Sequence, residues 1–212
     1  MTAGKSGPSA LLIKDVLNKH GINFGMLWGP TSYKHPWCDY ALDNDCFHNS
    51  HTENWWVNEG EYKWLKMLDK VSKCELSPIF ATLPDVVGNW NATVEISSKY
   101  TTELRSRNIK PAIVMQDGAS CESAATIDAD VFFIGGTVKW KWSNIQMISK
   151  WCQKNQKYLH VGQVNGICKT ERCIDLCVDS CDGSGLARFP NKMIPYTINA
   201  FSRSVQERFE FE

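Results

Sequence analysis

The chain has 212 residues, with 23 Lys plus Arg against 23 Asp plus Glu, a length that suits one well-buried domain. The balance excludes a histone-like or tail-driven nucleic-acid binder, though not an enzyme that grips a few phosphates through a local basic face. The cysteine count, nine, is odd, the opening MTAGKSGPSALLIKDVL lacks the pattern of a secretory signal, and no apolar run approaches the roughly 20 residues that cross a bilayer. We therefore expect reduced thiols, a cytoplasmic location and no membrane partner.

Residues 1–10 are small and polar and are expected to lack structure, leaving 11–212 as a single domain. Ala10 to Lys19 carries an amphipathic helix pattern, and INFGMLW (22–28) reads as the first strand, stopped by Gly29-Pro30. Tyr40 to Asp43 is a second short strand. Asn58 to Lys73 has Tyr62, Leu65, Leu68 and Val71 at helical spacing, followed by a strand over Pro78 to Pro84 and a helix over Asn89 to Arg107 with Trp90, Val94 and Leu104 inward. The unit then repeats: strands at Pro111–Met115, Val131–Ile134, Tyr158–Val161 and Leu176–Val178 alternate with helices at Cys121–Ile127, Ser143–Asn155, Thr170–Asp175 and Pro195–Arg208. Short strands alternating with helices require right-handed crossovers and a parallel sheet. About seven strands and no GxGxxG turn predict a compact or incomplete (β/α)8 barrel rather than a doubly wound sheet.

Five apolar runs end in Asp or Gly beside a small or polar residue: YALD43-N, FATLPD85-VVG, AIVMQD117-G, FFIG135-G and LCVDSCD182-G. Singly, each Asp reads as a turn or helix cap. Together they predict an acidic rim at the strand ends, where a barrel does its chemistry, and gathered carboxylates repel unless a perturbed acid or a cation is wanted. The cysteine and histidine groups, Cys168, Cys173, Cys177 and Cys181 and, separately, Cys38, Cys46, His48 and His51, lack paired CxxC spacing. No metal and no cofactor are expected, with a metal module or a non-catalytic degenerate barrel as rival readings.

In order, ALDND, LPDVVG, MQDG, FIGG, HVGQVN and VDSCDG (residues 40–186) resemble the tRNA-guanine transglycosylase superfamily, closest to its short phage-type members acting on DNA. The resemblance implies a pentosyltransferase that replaces guanine in DNA by a free 7-deazaguanine base, with Asp182 as nucleophile and Asp43 handling protons. It also implies a base-binding set of Asp85, Gln116, Asp117, Gly135 and Gly136. The pattern departs from the family at Asn44-Asp45-Cys46, where small glycines are usual, and in the absence of Cys and His beyond Cys181 that could complete the zinc site of the larger tRNA enzymes. A hydrolytic DNA glycosylase and a tRNA-acting enzyme are the alternatives within that resemblance. Lys139, Trp140, Lys141, Gln163, Asn165 and Arg188 are candidate nucleic-acid contacts, and Trp55, Trp56 and Trp142 candidate stacking surfaces, because extruded bases need aromatic faces and phosphates need cations.

Overall fold

The computed structural model describes residues 8–51 and 53–209. Seven parallel strands pair in chain order, each with the next: β1 (Gly25–Trp28), β2 (Asp39–Leu42), β3 (Ala81–Thr82), β4 (Pro111–Met115), β5 (Val131–Ile134), β6 (Tyr158–Val161) and β7 (Ser180–Cys181). Nine α-helices accompany them among the described residues: α1 (Pro8–Asn18), α2 (Glu61–Val71), α3 (Trp90–Ser97), α4 (Thr101–Ser106), α5 (Cys121–Ala125), α6 (Val138–Lys154), α7 (Ile167–Asp175), α8 (Gly185–Arg188) and α9 (Pro190–Phe209). No pairing joins β7 to β1 among the described residues, so the sheet is an incomplete (β/α)8 barrel with a seam between its two edges. A cavity of about 570 Å³ fills that seam, bordered by Ile22 and Gly25 on one side and Cys173, Cys181 and Met193 on the other.

Alternation along each strand divides the apolar side chains into two sets. Leu27, Ala41, Phe80, Ala112, Val114, Val131 and Phe133 pack with one another inside the curve of the sheet. Their neighbours in sequence, Met26, Trp28, Tyr40, Leu42, Ile113, Met115, Phe132 and Ile134, belong to the larger core beneath the helices. Strands buried on both faces read as continuous apolar runs, which is why VFFI and PAIVM are legible in the sequence. Helix starts are set by side-chain caps: Asn89 accepts from the Ala92 amide, Ser120 from that of Ser123 and Thr137 from that of Trp140.

The structure differs from the sequence reading at several ends. The helix expected over 89–107 is two, α3 and α4, broken between Ser98 and Tyr100. The last strand forms at Ser180–Cys181 rather than 176–178, because Leu176 caps α7 and Cys177 takes a left-handed φ of 52°. Helix α6 starts at Val138, not Ser143, and so includes Trp140 and Lys141. Trp55 and Trp56 lie inside, 7 and 8 % exposed, in an edge-to-face cluster with Trp64 and Tyr100, so they offer no stacking surface. Of the first ten residues, 1–7 lie outside the described ones and Pro8 already opens α1.

Phe80 plugs the inside of the barrel, its ring 5.1 Å from that of His160 and 6.3 Å from that of Phe133. Phe80→Ala should cost about 3–5 kcal/mol, read as a lower urea midpoint with an unchanged m-value; a loss under about 1 kcal/mol would show that the interior collapses around the gap.

Candidate active site

The alternation that puts Leu27, Ala41, Phe80, Val114, Phe133 and His160 inside also fixes what stands one layer above them: Gly29, Asp43, Thr82, Gln116, Gly135 and Gly162, joined by Asp182 from the end of β7. All but Thr82 line a cavity of about 340 Å³ at the carboxyl ends of the strands, with Asn44, Asp45, Asp85 and Lys141 also in its wall. The glycines make the room. A Cβ at Gly135 would stand 2.8 Å from Val114 Cγ1 and 2.9 Å from Gln116 Nε2.

Asp85 is held on both oxygens. Asn44 Nδ2 donates to Oδ1 at 2.7 Å and Gln116 Nε2 to Oδ2 at 2.6 Å. The other end of each amide is also used: Asn44 Oδ1 accepts from the Cys46 amide at 2.7 Å, and Gln116 Oε1 from the amides of Gly88 and Gly136 at 2.9 and 3.0 Å. Asp85 and Gln116 thus brace three rim loops against one another. Asp45, with a left-handed φ of 60°, turns back to accept from Thr31 N and Oγ1 at 2.9 and 2.6 Å. Its carboxylate fills the space where a Gly29 side chain would be, 1.8 Å from an ideal Cβ. Asp117 does not line the cavity; both its oxygens accept from Thr137, at 2.7 and 2.6 Å, and it anchors the loop into α6.

Asp45 Oδ1, which lies against Gly29, receives no donor among the described residues, and two further carboxylates each have an oxygen available. Asp43 accepts only on Oδ1, from the Asn44 amide at 2.8 Å and Thr82 Oγ1 at 3.4 Å. Asp182, 6 % exposed, accepts only on Oδ1, from His160 Nε2 at 3.1 Å and the Gln163 amide at 3.2 Å. Among the described residues no group donates to either Oδ2. His160 is fully buried between Phe80 and Phe133, and burial lowers its basicity. It is therefore a neutral imidazole that donates from Nε2 to Asp182 and accepts at Nδ1 from Ser180 Oγ, 2.7 Å away.

Burial raises the Asp43 carboxyl to about 7, with the charges of Asp45, Asp182 and Asp85 pushing the same way and the Asn44 amide opposing. Burial also raises Asp85, but the Asn44 and Gln116 amides oppose it and the carboxyl stays at about 6. The site thus carries one carboxyl poised at neutrality beside a carboxylate fixed by a neutral histidine. Lys141 reaches the same cavity from the first turn of α6; it is 4 % exposed and its ammonium donates to the Gly162 carbonyl. Among the described residues no three His, Cys, Asp or Glu side chains converge as a metal site.

The sequence-predicted residues therefore divide. Asp43, Asp85, Gln116, Gly135, Gly136, Lys141, Gln163 and Asp182 come together around the cavity. Lys139, Asn165 and Arg188 are exposed outside its wall, Trp140 and Trp142 are half-buried, and Lys141 turns inward and so is no exposed phosphate contact. Asn44, Thr82, His160 and Ser180 were not assigned to the site from sequence; inward alternation from Phe80 would have found Thr82 and from Tyr158 His160, but neither Asn44 nor Ser180.

The architecture is that of the TIM-barrel class, and the comparisons agree. No protein-family model and no curated protein matches the sequence. A chain of the Amycolatopsis orientalis BexX/CysO complex aligns with a TM-score of 0.57 at 13% identity, covering 97% of this chain and 88% of that one. The 3-hexulose-6-phosphate synthase of Salmonella typhimurium aligns at 0.54 and 11% identity, covering 96% and 98%. Tryptophan synthase from M. tuberculosis aligns at 0.53 and 8% identity, covering 96% and 90%. Identities this low establish the fold alone.

These neighbours overturn the resemblance to tRNA-guanine transglycosylases. No transglycosylase appears among them, and the expected replacement of guanine in DNA falls with it, as do its glycosylase and tRNA-acting variants. The physical reason is that a strand ending in Asp or Gly at the rim is what any (β/α) barrel uses to stop a buried strand and turn into a helix. Six such ends in order describe the barrel rather than one reaction carried on it.

Both raised carboxyls bind protons more tightly folded than unfolded, where such groups titrate near 4. The stabilisation they give is complete below about pH 4 and is lost as pH rises through about 6 and 7. Asp43→Asn should flatten the decline in melting temperature between pH 5 and 8, and should melt about 3–8 °C above wild type at pH 8. Parallel curves for the two proteins would show that Asp43 titrates like an exposed carboxyl.

Proposed function

We propose that the protein is an acid–base enzyme that moves a proton on a small, neutral or cationic polar substrate bound among the rim carboxylates. The observation that carries this reading is Asp43: a carboxyl with a free Oδ2 in the cavity, held at about 7 by burial and neighbouring charge. General acid–base groups work best when their pKa lies near the operating pH, and the effect is worth about 10²–10⁴-fold in rate. Asp182 would supply the second contact. Its neutral histidine partner keeps the carboxylate oriented without cancelling its charge, so its free oxygen can stabilise positive charge that develops on substrate.

The same charge set selects the substrate class. Asp43, Asp45, Asp85 and Asp182 border the cavity, with Lys141 as the only Lys or Arg in its wall among the described residues, so an anionic ligand would meet net repulsion and a hydroxylated or amino-bearing one would find acceptors. In this respect the pocket is unlike what a sugar phosphate, such as the one in a neighbour's name, would require. The Asp85–Gln116–Asn44 brace and the Asp45–Thr31 clasp would hold the walls at fixed spacing, which is what orientation of a small substrate demands.

Incubation in deuterated water with a panel of neutral and amino-bearing hydroxycarbonyl compounds, followed by proton NMR, tests the reading. Exchange of a carbon-bound proton should rise with pH through about 7 and fall about 10²–10⁴-fold in Asp43→Asn. Exchange that is indifferent to this substitution would overturn it.

A further inference from the structure

We propose that Lys141 is an amine nucleophile that forms an imine with a carbonyl substrate held in the carboxylate cavity. This deepens, and rests on, the acid–base reading above. Helix α6 begins at Val138 against the Thr137 cap, itself clasped by Asp117, and this start fixes where position 141 falls on the first turn. The side chain points into the cavity, and all but 4 % of the residue is covered. A buried lysine is ordinarily matched by a carboxylate within 4 Å; among the described residues Lys141 forms no such ion pair. Its hydrogen-bond partner is the carbonyl of Gly162. One neutral acceptor satisfies one of three ammonium protons, and burial favours the uncharged amine, an effect that outweighs the attraction of Asp182. Lys169 acts in the same direction as burial, and Cys173 acts weakly with Asp182.

The groups an imine-forming site needs are then all in one cavity wall. The lone pair of the Lys141 amine attacks the carbonyl carbon, and one proton then passes from the nitrogen to the former carbonyl oxygen to give a neutral carbinolamine. The protonated form of Asp43 gives its proton to the departing hydroxyl, water leaves, and nitrogen remains as an iminium bearing one hydrogen. Asp43, now a carboxylate, removes a proton from the adjacent carbon to give the enamine, while Asp182 offsets the iminium charge. No electrons are gained or lost. The four carboxylates confine the carbonyl compound to neutral or amino-bearing types, and the cavity volume of about 340 Å³ confines it to small ones.

Wild-type protein at pH 7.5 is mixed with glycolaldehyde and sodium cyanoborohydride, which reduces an imine to a stable amine, and the adducts are mapped by peptide mass spectrometry over time. Lys141 should be modified severalfold faster than exposed Lys139, the direction in which burial in the cavity shifts its amine. Adducts on exposed lysines with none at Lys141 would overturn the proposal. In the exchange assay Lys141→Arg, which keeps the charge, should lose at least about 10²-fold; full activity in this variant would also overturn it. The mapping uses the wild type, so it decides even if the variant fails to fold. Exchange that depends on Asp43 with Lys141 unmodified would sink the imine alone. A rapidly modified Lys141 with exchange indifferent to Asp43→Asn would sink the acid–base role and leave the nucleophile standing.

Discussion

Two faces of each strand cannot be filled independently, and the upper rim depends on that constraint. Once Ala41, Phe80, Val114, Phe133 and His160 occupy the inside of the sheet, a period of two obliges Asp43, Thr82, Gln116, Gly135 and Gly162 to follow them inward. A shift of one residue in any strand would exchange a pocket group for a core group. The hydrophobic layer thus sets the register of the chemistry above it, and the aromatic plug of Phe80, Phe133 and His160 forms the floor beneath the cavity.

Repulsion among the carboxylates is handled in three ways. Asp85 is surrounded by amide donors, so burial moves it less than it moves Asp43. Asp45 turns away into a clasp with Thr31. Asp182 rests on a histidine that burial keeps neutral, a partner that orients without supplying a counter-charge. Asp43 has none of these, only a backbone amide and a distant hydroxyl, and so absorbs the strain of the cluster as a proton. An acidic rim of this kind is organised to leave one member out of balance.

Much of the fold was legible because parallel strands buried on both faces write themselves as uninterrupted apolar runs ending in Asp or Gly. The run at β7 was not, since LCV looks like a strand while Cys177 is a left-handed turn and pairing waits until Ser180. The start of α6 was hidden because Thr137 caps it ahead of an aromatic-basic stretch that reads as loop, which sent Lys141 to the surface on paper and into the pocket in the structure. The carboxylates of the rim were visible in sequence, but their separate duties were not. Asp117 and Asp85 differ by what lies opposite them, and Thr137, Asn44 and Gln116 arrive from distant segments. The family resemblance failed for a related reason: short rim motifs record how strands end, and many barrels end them alike.

The order of strands carries a consequence for how the molecule is built. Each strand pairs with its immediate predecessor, so the sheet can lengthen one crossover at a time, with modest loop-closure entropy at every step. The seam is the exception. What spans it is the packing of α1 against α8 and α9, segments far apart in sequence whose meeting closes a long loop. The contact that closes the seam therefore carries a larger loop-closure entropy than any pairing within the sheet, and Asp182, just past the end of the strand beside it, borders the part of the molecule that is costliest to close.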